Sequence, residues 1–202
     1  MVEVGCACAG ASCPRRAAAH GFEVLISARP PRSPPVNLGC YDTLNGRPAV
    51  RFTLHHPRTP QRVWLSVTET ARLDRWFPAH VALEPREGGT VFFGNDGFDP
   101  MLGTVLAYEE AERLGFTFGA DEVWFDLVPD GDSTLLTMTI LLADADLAAL
   151  NAAGWTNCLS RLELCLQGEE PRDLYAWEDV YDQYVLAGMP AAGDVDGLTA
   201  GE

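Results

Sequence analysis

The sequence contains no lysine: all 14 of its basic residues are arginine, set against 29 acids and four histidines. GC-rich coding favours arginine codons, and the missing lysine is read as that bias, not as a functional sign. The shortage of positive charge says more. A net charge of -15 and an isoelectric point near 4.5 leave too few clustered cations for nucleic acid or an anionic membrane surface. Long apolar runs are missing too, so no segment is expected to span a bilayer, and the N-terminus lacks the basic start and continuous apolar stretch of a signal peptide. The six cysteines do not form a disulfide framework: Cys6, Cys8 and Cys13 crowd the first thirteen residues, and Cys40, Cys158 and Cys165 are scattered. The expected compartment is a reducing cytoplasm.

What is present divides unevenly along the chain. Residues 1–47 are rich in Ala, Gly, Pro, Arg and Cys, and "RPPRSPPVN" suits neither a helix nor a central strand. They are read as a weakly structured or disordered extension, in which "GFEVLIS" is either a short strand or upstream sequence. A globular domain is expected over 48–168, a docked C-terminal helix over 169–187 and a disordered acidic tail over 188–202. The last 34 residues hold one arginine and nine acids, as a solvated segment would.

From residue 48 the apolar pattern is regular. "AVRFTLHHP" alternates as a strand, and Thr59 before Pro60 starts a helix with Val63, Trp64 and Val67 at helical spacing. A second short helix, "ARLDRWF", stops at Pro78. Six strands then follow without an intervening helix: "HVALEP", "GGTVFFG", "LGTVLAYEEA", "ERLGFTFGA", "EVWFDLVP" and "STLLTMTILLA". Turns such as "PREGG", "GAD" and "PDGDS" make this an antiparallel meander, which excludes a sheet built from parallel units. A long helix follows, with Asp144 as N-cap and Gly168 just past its end. Its expected apolar stripe runs through Leu147, Leu150, Gly154, Cys158, Leu162 and Cys165, with Leu159 and Leu166 alongside. Beyond Pro171, Leu174, Trp177, Tyr181 and Tyr184 or Val185 mark the face of a further amphipathic helix.

Residue types that carry chemistry occur without the partners chemistry needs. Cys6, Cys8, Cys13 and His20 match no recognised zinc spacing and are read as chance. His55 and His56 end the first strand, one pointing in and one out, and are read as a surface pair. Glu109 and Glu110 alternate across a strand, and Asp96 and Asp99 sit in a glycine-rich loop; both pairs are read as solvated. Cys158 and Cys165 lie two helical turns apart, about 10 Å, too far for a disulfide, and are read as buried thiols. The aromatics, Phe116 among them, are read mainly as core. With Val123, Phe125 and Leu127 facing inward, Trp124 faces out and marks a partner surface or the docking site of the C-terminal helix. No metal site, cofactor or catalytic residue is assigned.

The order of these elements resembles the START-like or SRPBCC helix-grip fold. The motifs "RWFP", "EGGTVFF", "GTVLAYEEAERLGFTF", "VWFDLVPDGDSTLLTMT" and "GWTNCLSRLELCLQG" resemble its activator of Hsp90 ATPase homologue 1-like branch, over roughly residues 48–187. One departure is that "TMTILLADAD" lacks the histidine often found there. The resemblance implies an α+β fold: a curved antiparallel sheet of six to seven strands wrapped around the long C-terminal helix, with two short helices after the first strand. It also implies a cavity between sheet and helix, whose expected lining is Trp64, Trp76, Phe92, Phe118, Phe125, Gly154, Trp155, Cys158 and Leu162. Gly154 and Cys158 are small either because a ligand covers them or because the sheet packs closely there, and close packing is the preferred reading.

Three functions follow from that resemblance. The first is a non-catalytic binder of an apolar small molecule. The second is a polyketide cyclase- or aromatase-like enzyme, which would need His55, His56 or Tyr108 in the cavity. The third is a protein-binding, co-chaperone-like module. The binder is the reading carried forward, with no nucleic acid, membrane or cofactor partner and with the oligomeric state open.

Overall fold

The computed structural model describes residues 38–95 and 98–192, the side chains of 95–99 excepted. The cysteine and histidine series at 6–20, the "GFEVLIS" segment, the side chains of the Asp96 and Asp99 pair and the last ten residues lie outside what is described.

Eight antiparallel strands form one sheet in the order β1-β2-β8-β7-β6-β5-β4-β3. They are β1 Cys40–Leu44, β2 Arg47–His56, β3 His80–Leu83, β4 Thr90–Asn95, β5 Phe98–Glu109, β6 Arg113–Phe118, β7 Asp121–Asp130 and β8 Ser133–Leu141. The first strand of the regular pattern, β2, pairs with the last, β8, so the meander is closed against the strand that precedes it. Alternation puts one row of Val50, Ile140, Val123 and Phe116 across the inner face, and a second of Phe52, Met138, Phe125 and Leu114. All eight side chains are buried.

The helices are α1 Pro60–Thr68, α2 Thr70–Leu73, α3 Ala148–Gln167 and α4 Trp177–Leu186. Pro60 occupies the first turn of α1, where its missing N–H breaks no helical bond, and Val63, Trp64 and Val67 are buried. The Asp144 carboxylate accepts from the Asp146 N–H at 3.0 Å and caps a short 3-10 turn that leads into α3. Gly168 ends α3 at φ 86°, with the Gly168 and Glu169 amides closing back onto Cys165 and Leu164.

Two boundaries differ from expectation. Cys40–Leu44 lies inside the stretch expected to be unstructured, yet it is a strand joined to β2 by Asn45 and Gly46, at φ 51° and 79°. Both positions need the left-handed region that Asn and Gly tolerate, and this turn pairs Leu44 with Arg47. At the other end, the expected tail begins as ordered backbone. Met189 is buried, its N–H donates to Tyr184 O, and the Pro190 carbonyl accepts from the Ala149 N–H at the start of α3.

The helix α4 docks on α3, not on Trp124. Val180, Tyr181 and Tyr184 are its buried residues, and Val185 is exposed. The Tyr184 hydroxyl accepts from the Gly39 N–H at 2.7 Å and lies 2.7 Å from Thr156 Oγ1. Because the Thr156 hydroxyl donates to Ala152 O at 2.8 Å, the Tyr184 proton goes to Thr156. This phenol joins α4, α3 and the approach to β1. Tyr184→Phe leaves the buried Gly39 N–H without an acceptor and is expected to cost about 2 kcal/mol of unfolding free energy. Guanidinium denaturation measures it; a loss under about 0.5 kcal/mol would show that the bond contributes little.

Candidate ligand site

The space between α3 and the inner face of the sheet holds a cluster of aromatic rings centred on Phe77. Its ring centroid lies 5.6 Å from Trp76, 6.0 Å from Phe93, 6.2 Å from Phe116, 5.6 Å from Phe118 and 5.2 Å from Trp155. Phe93 and Phe118 meet edge to face at 4.9 Å, and Trp76 and Phe116 each reach Phe125 at 6.2 Å. Most of these contacts are tilted or edge-on, the arrangement ring quadrupoles favour. The cluster is half-exposed only at its margin, at Phe118 and Met101.

The expected lining divides. Trp76, Phe118, Phe125 and Trp155 belong to this ring cluster. Trp64 is buried in the same apolar core but stacks edge-on with Tyr108 at 5.1 Å. Leu162 and Cys158 are buried on α3. Phe92 does not line the interior. It is 37% exposed on the opposite face of β4, beside Gly94 and His80, because a strand turns only every second side chain inward and β4 commits Val91 and Phe93. Phe77, Phe93 and Phe116 were absent from the expected lining; the adjacent Phe92 and Phe93 could be told apart only by register.

Of the expected stripe of α3, Cys158, Leu159, Leu162 and Leu166 are buried, joined by Ala148, Ala152 and Trp155, while Leu147 is exposed and Leu150, Gly154 and Cys165 are half-buried. A Cβ built on Gly154 would meet no atom within 4 Å. Close approach of the sheet is therefore not why this residue is small, and the preferred packing reading fails at this position.

The polar groups inside do not form a reactive pair. His56 is 2% exposed, its Nε2 has no hydrogen-bond partner, and burial, with the neighbouring His55, pushes its pKa down to about 4. Its neighbour His55 faces out and holds Asp130 at 3.0 Å, so the expected surface pair is half interior. Burial pushes the Cys158 thiol up to about 11, which keeps it protonated and a poor nucleophile at neutral pH. The Cys165 thiol is raised by the same cause, and both cysteines are free. Asn157 Oδ1 is buried without a partner. Among the described residues no three His, Cys, Asp or Glu side chains converge as a metal site, and no helix is long and apolar enough to cross a membrane.

A curved antiparallel sheet, two short helices after its first long strand and a long helix gripped against it describe the helix-grip architecture. The activator of Hsp90 ATPase homolog 1-like family matches residues 57–167, from the end of β2 to the end of α3. The chain belongs to that family. Solved structures share its fold. A conserved protein of unknown function from Enterococcus faecalis, EF2215, is 22% identical, with 75% of this chain and 91% of that one aligned at a TM-score of 0.63. CalU16 from Micromonospora echinospora is 20% identical over 78% and 99% of the two chains, with a TM-score of 0.60. DynU16, described as a putative protein in the dynemicin biosynthetic locus, is 23% identical over 63% of this chain and 51% of its own, with a TM-score of 0.54. At such identities the likeness is one of fold. No curated protein matches the chain.

Proposed function

We propose that this AHSA1-like protein is a non-catalytic binder of an apolar small molecule, taken up beside α3 at the Gly154, Trp155 and Phe118 end of the aromatic cluster. The observation that carries the reading is Gly154. A glycine in the middle of a 20-residue helix is less favourable than alanine by about 1 kcal/mol, and here no neighbour demands it, since a Cβ would meet nothing within 4 Å. An apolar ligand can occupy that open space at the half-buried Gly154, next to the buried Trp155. The buried, protonated Cys158 and the unpartnered His56 favour binding over catalysis. The fold likeness to DynU16 is in keeping with a small-molecule role, and free thiols at Cys158 and Cys165 suit a reducing cytoplasm.

Native mass spectrometry of the protein purified from its own host, with extraction of whatever is released, tests this. A near-stoichiometric apolar molecule is expected, and Gly154→Trp is expected to reduce its occupancy at least tenfold. Gly154→Ala serves as the folding control and should raise stability by about 1 kcal/mol. An apo mass that does not shift with a panel of lipids and polycyclic aromatics would overturn the reading.

A further inference from the structure

The outer face of the sheet, turned away from α3, carries a groove of about 560 Å³. Strand register builds it. Across β2, β8, β7 and β6 one row reads Thr53, Thr137, Asp126 and Arg113, and the next reads Arg51, Thr139, Trp124 and Gly115. With strands spaced at about 4.8 Å, Arg51 and Arg113 stand on opposite sides of the two β8 threonines. Leu141 and Leu135 flank those threonines along β8, and the β1–β2 turn contributes Leu44 and Asn45 to the wall.

The aromatic wall is held in place before any ligand arrives. A Cβ on Gly115 would come within 2.4 Å of the Trp124 ring, so the indole lies against bare backbone. Its Nε1–H donates to Glu122 at 3.1 Å, and Glu122 is in turn held by Arg47 at 2.5 Å. The Arg113 guanidinium sits 4.8 Å from the ring centroid. The indole is thus held between Gly115 and an exposed guanidinium, and a flat ligand ring can take the place of Arg113 over it.

The groove also selects charge. Its lining has two arginines against one aspartate, in a protein whose net charge is -15. Arg113 holds Asp126 at 3.2 Å and Arg51 holds Asp42 at 3.5 Å, all four side chains well exposed. Such solvated pairs are weak, so either guanidinium can take a second carboxylate at little cost. Thr53, Thr137 and Thr139 bring three hydroxyls to its lining.

We propose that this outer groove is a second binding site, separate from the one beside α3, for a small aromatic carboxylic acid. The ring takes the place of the Arg113 guanidinium over Trp124, and the carboxylate accepts from Arg51 and from the β8 threonines. A groove near 560 Å³ leaves room for substituents beyond the ring and its carboxylate, since pockets of roughly 300–1,000 Å³ take drug-sized ligands.

Titration of 2-naphthoate into the isotope-labelled full chain, followed by NMR, tests the assignment. Shifts are expected at Thr53, Thr137, Thr139 and the Trp124 indole N–H. Arg51→Leu should weaken binding about tenfold, as should replacing the probe by neutral 2-naphthylmethanol. Gly154→Trp should leave the affinity unchanged, which separates this site from the one beside α3. Shifts confined to α3 and the inner face, equal binding of the neutral analogue, or no binding at millimolar probe would each overturn the proposal. So would a protein partner that covers Trp124 and is not displaced by the acid.

Discussion

Trp76→Ala is expected to lower the unfolding free energy by about 4 kcal/mol. The indole is fully buried between Phe77 and Phe125, so its removal leaves a cavity that these two rings cannot readily collapse into. It also has a polar task. Its Nε1–H donates at 2.8 Å to the carbonyl of Ser66, in the last turn of α1, where helical carbonyls have no partner within the helix. The same side chain therefore fills the core and caps α1 from the side. Trp76→Phe separates the two roles: it keeps an aromatic ring but strands the Ser66 carbonyl, and should cost about 2 kcal/mol. Denaturant unfolding of the three proteins measures both. If the alanine variant lost less than about 1 kcal/mol, Trp76 would not be central to the core.

Features set by local chemistry were legible in the sequence. Period-two alternation placed the six later strands and β2, Pro60 marked the start of α1, and Asp144 and Gly168 bounded the α3 region. Whatever depended on comparing positions across the fold was not. Helical spacing of leucines and cysteines does not single out Trp155, which the fold buries against Phe77 and Phe118, nor the buried Ala148 and Ala152. The pair Phe92 and Phe93 offered one inward position and the sequence could not say which. The strand β1 was hidden by the composition of the extension before it, although Asn45–Gly46 is a strong hairpin signal. The outer groove exists only through register, because Arg51, Thr139 and Trp124 are distant in sequence and meet as neighbours across three strands. Whether a small residue such as Gly154 marks contact or space likewise depends on what stands opposite it.

Lowering the pH from 7 to 4 is expected to remove about 3 kcal/mol of stability through His56 alone. The imidazole is buried at the end of β2 with Nε2 unpartnered, and burial first, then the adjacent His55, lowers its pKa from 6.5 to about 4. Above pH 6.5 the ring is neutral in both states and pH has no leverage. Between 6.5 and 4 the unfolded chain takes up a proton that the folded chain refuses, so the unfolded state gains stability as the pH falls. Below about 4 the folded protein protonates as well and the loss levels off. Carboxylates titrate in the same window, so the informative quantity is a difference. Urea unfolding of wild type and His56→Leu at matched pH should give curves that converge at low pH relative to their separation at pH 7, by about 3 kcal/mol in favour of the variant. Parallel curves would show that His56 reaches solvent or finds a partner when charged. The same variant bears on function: a ligand that bonds Nε2 would be weakened by His56→Leu at pH 7, while a purely apolar ligand held beside Gly154 would not.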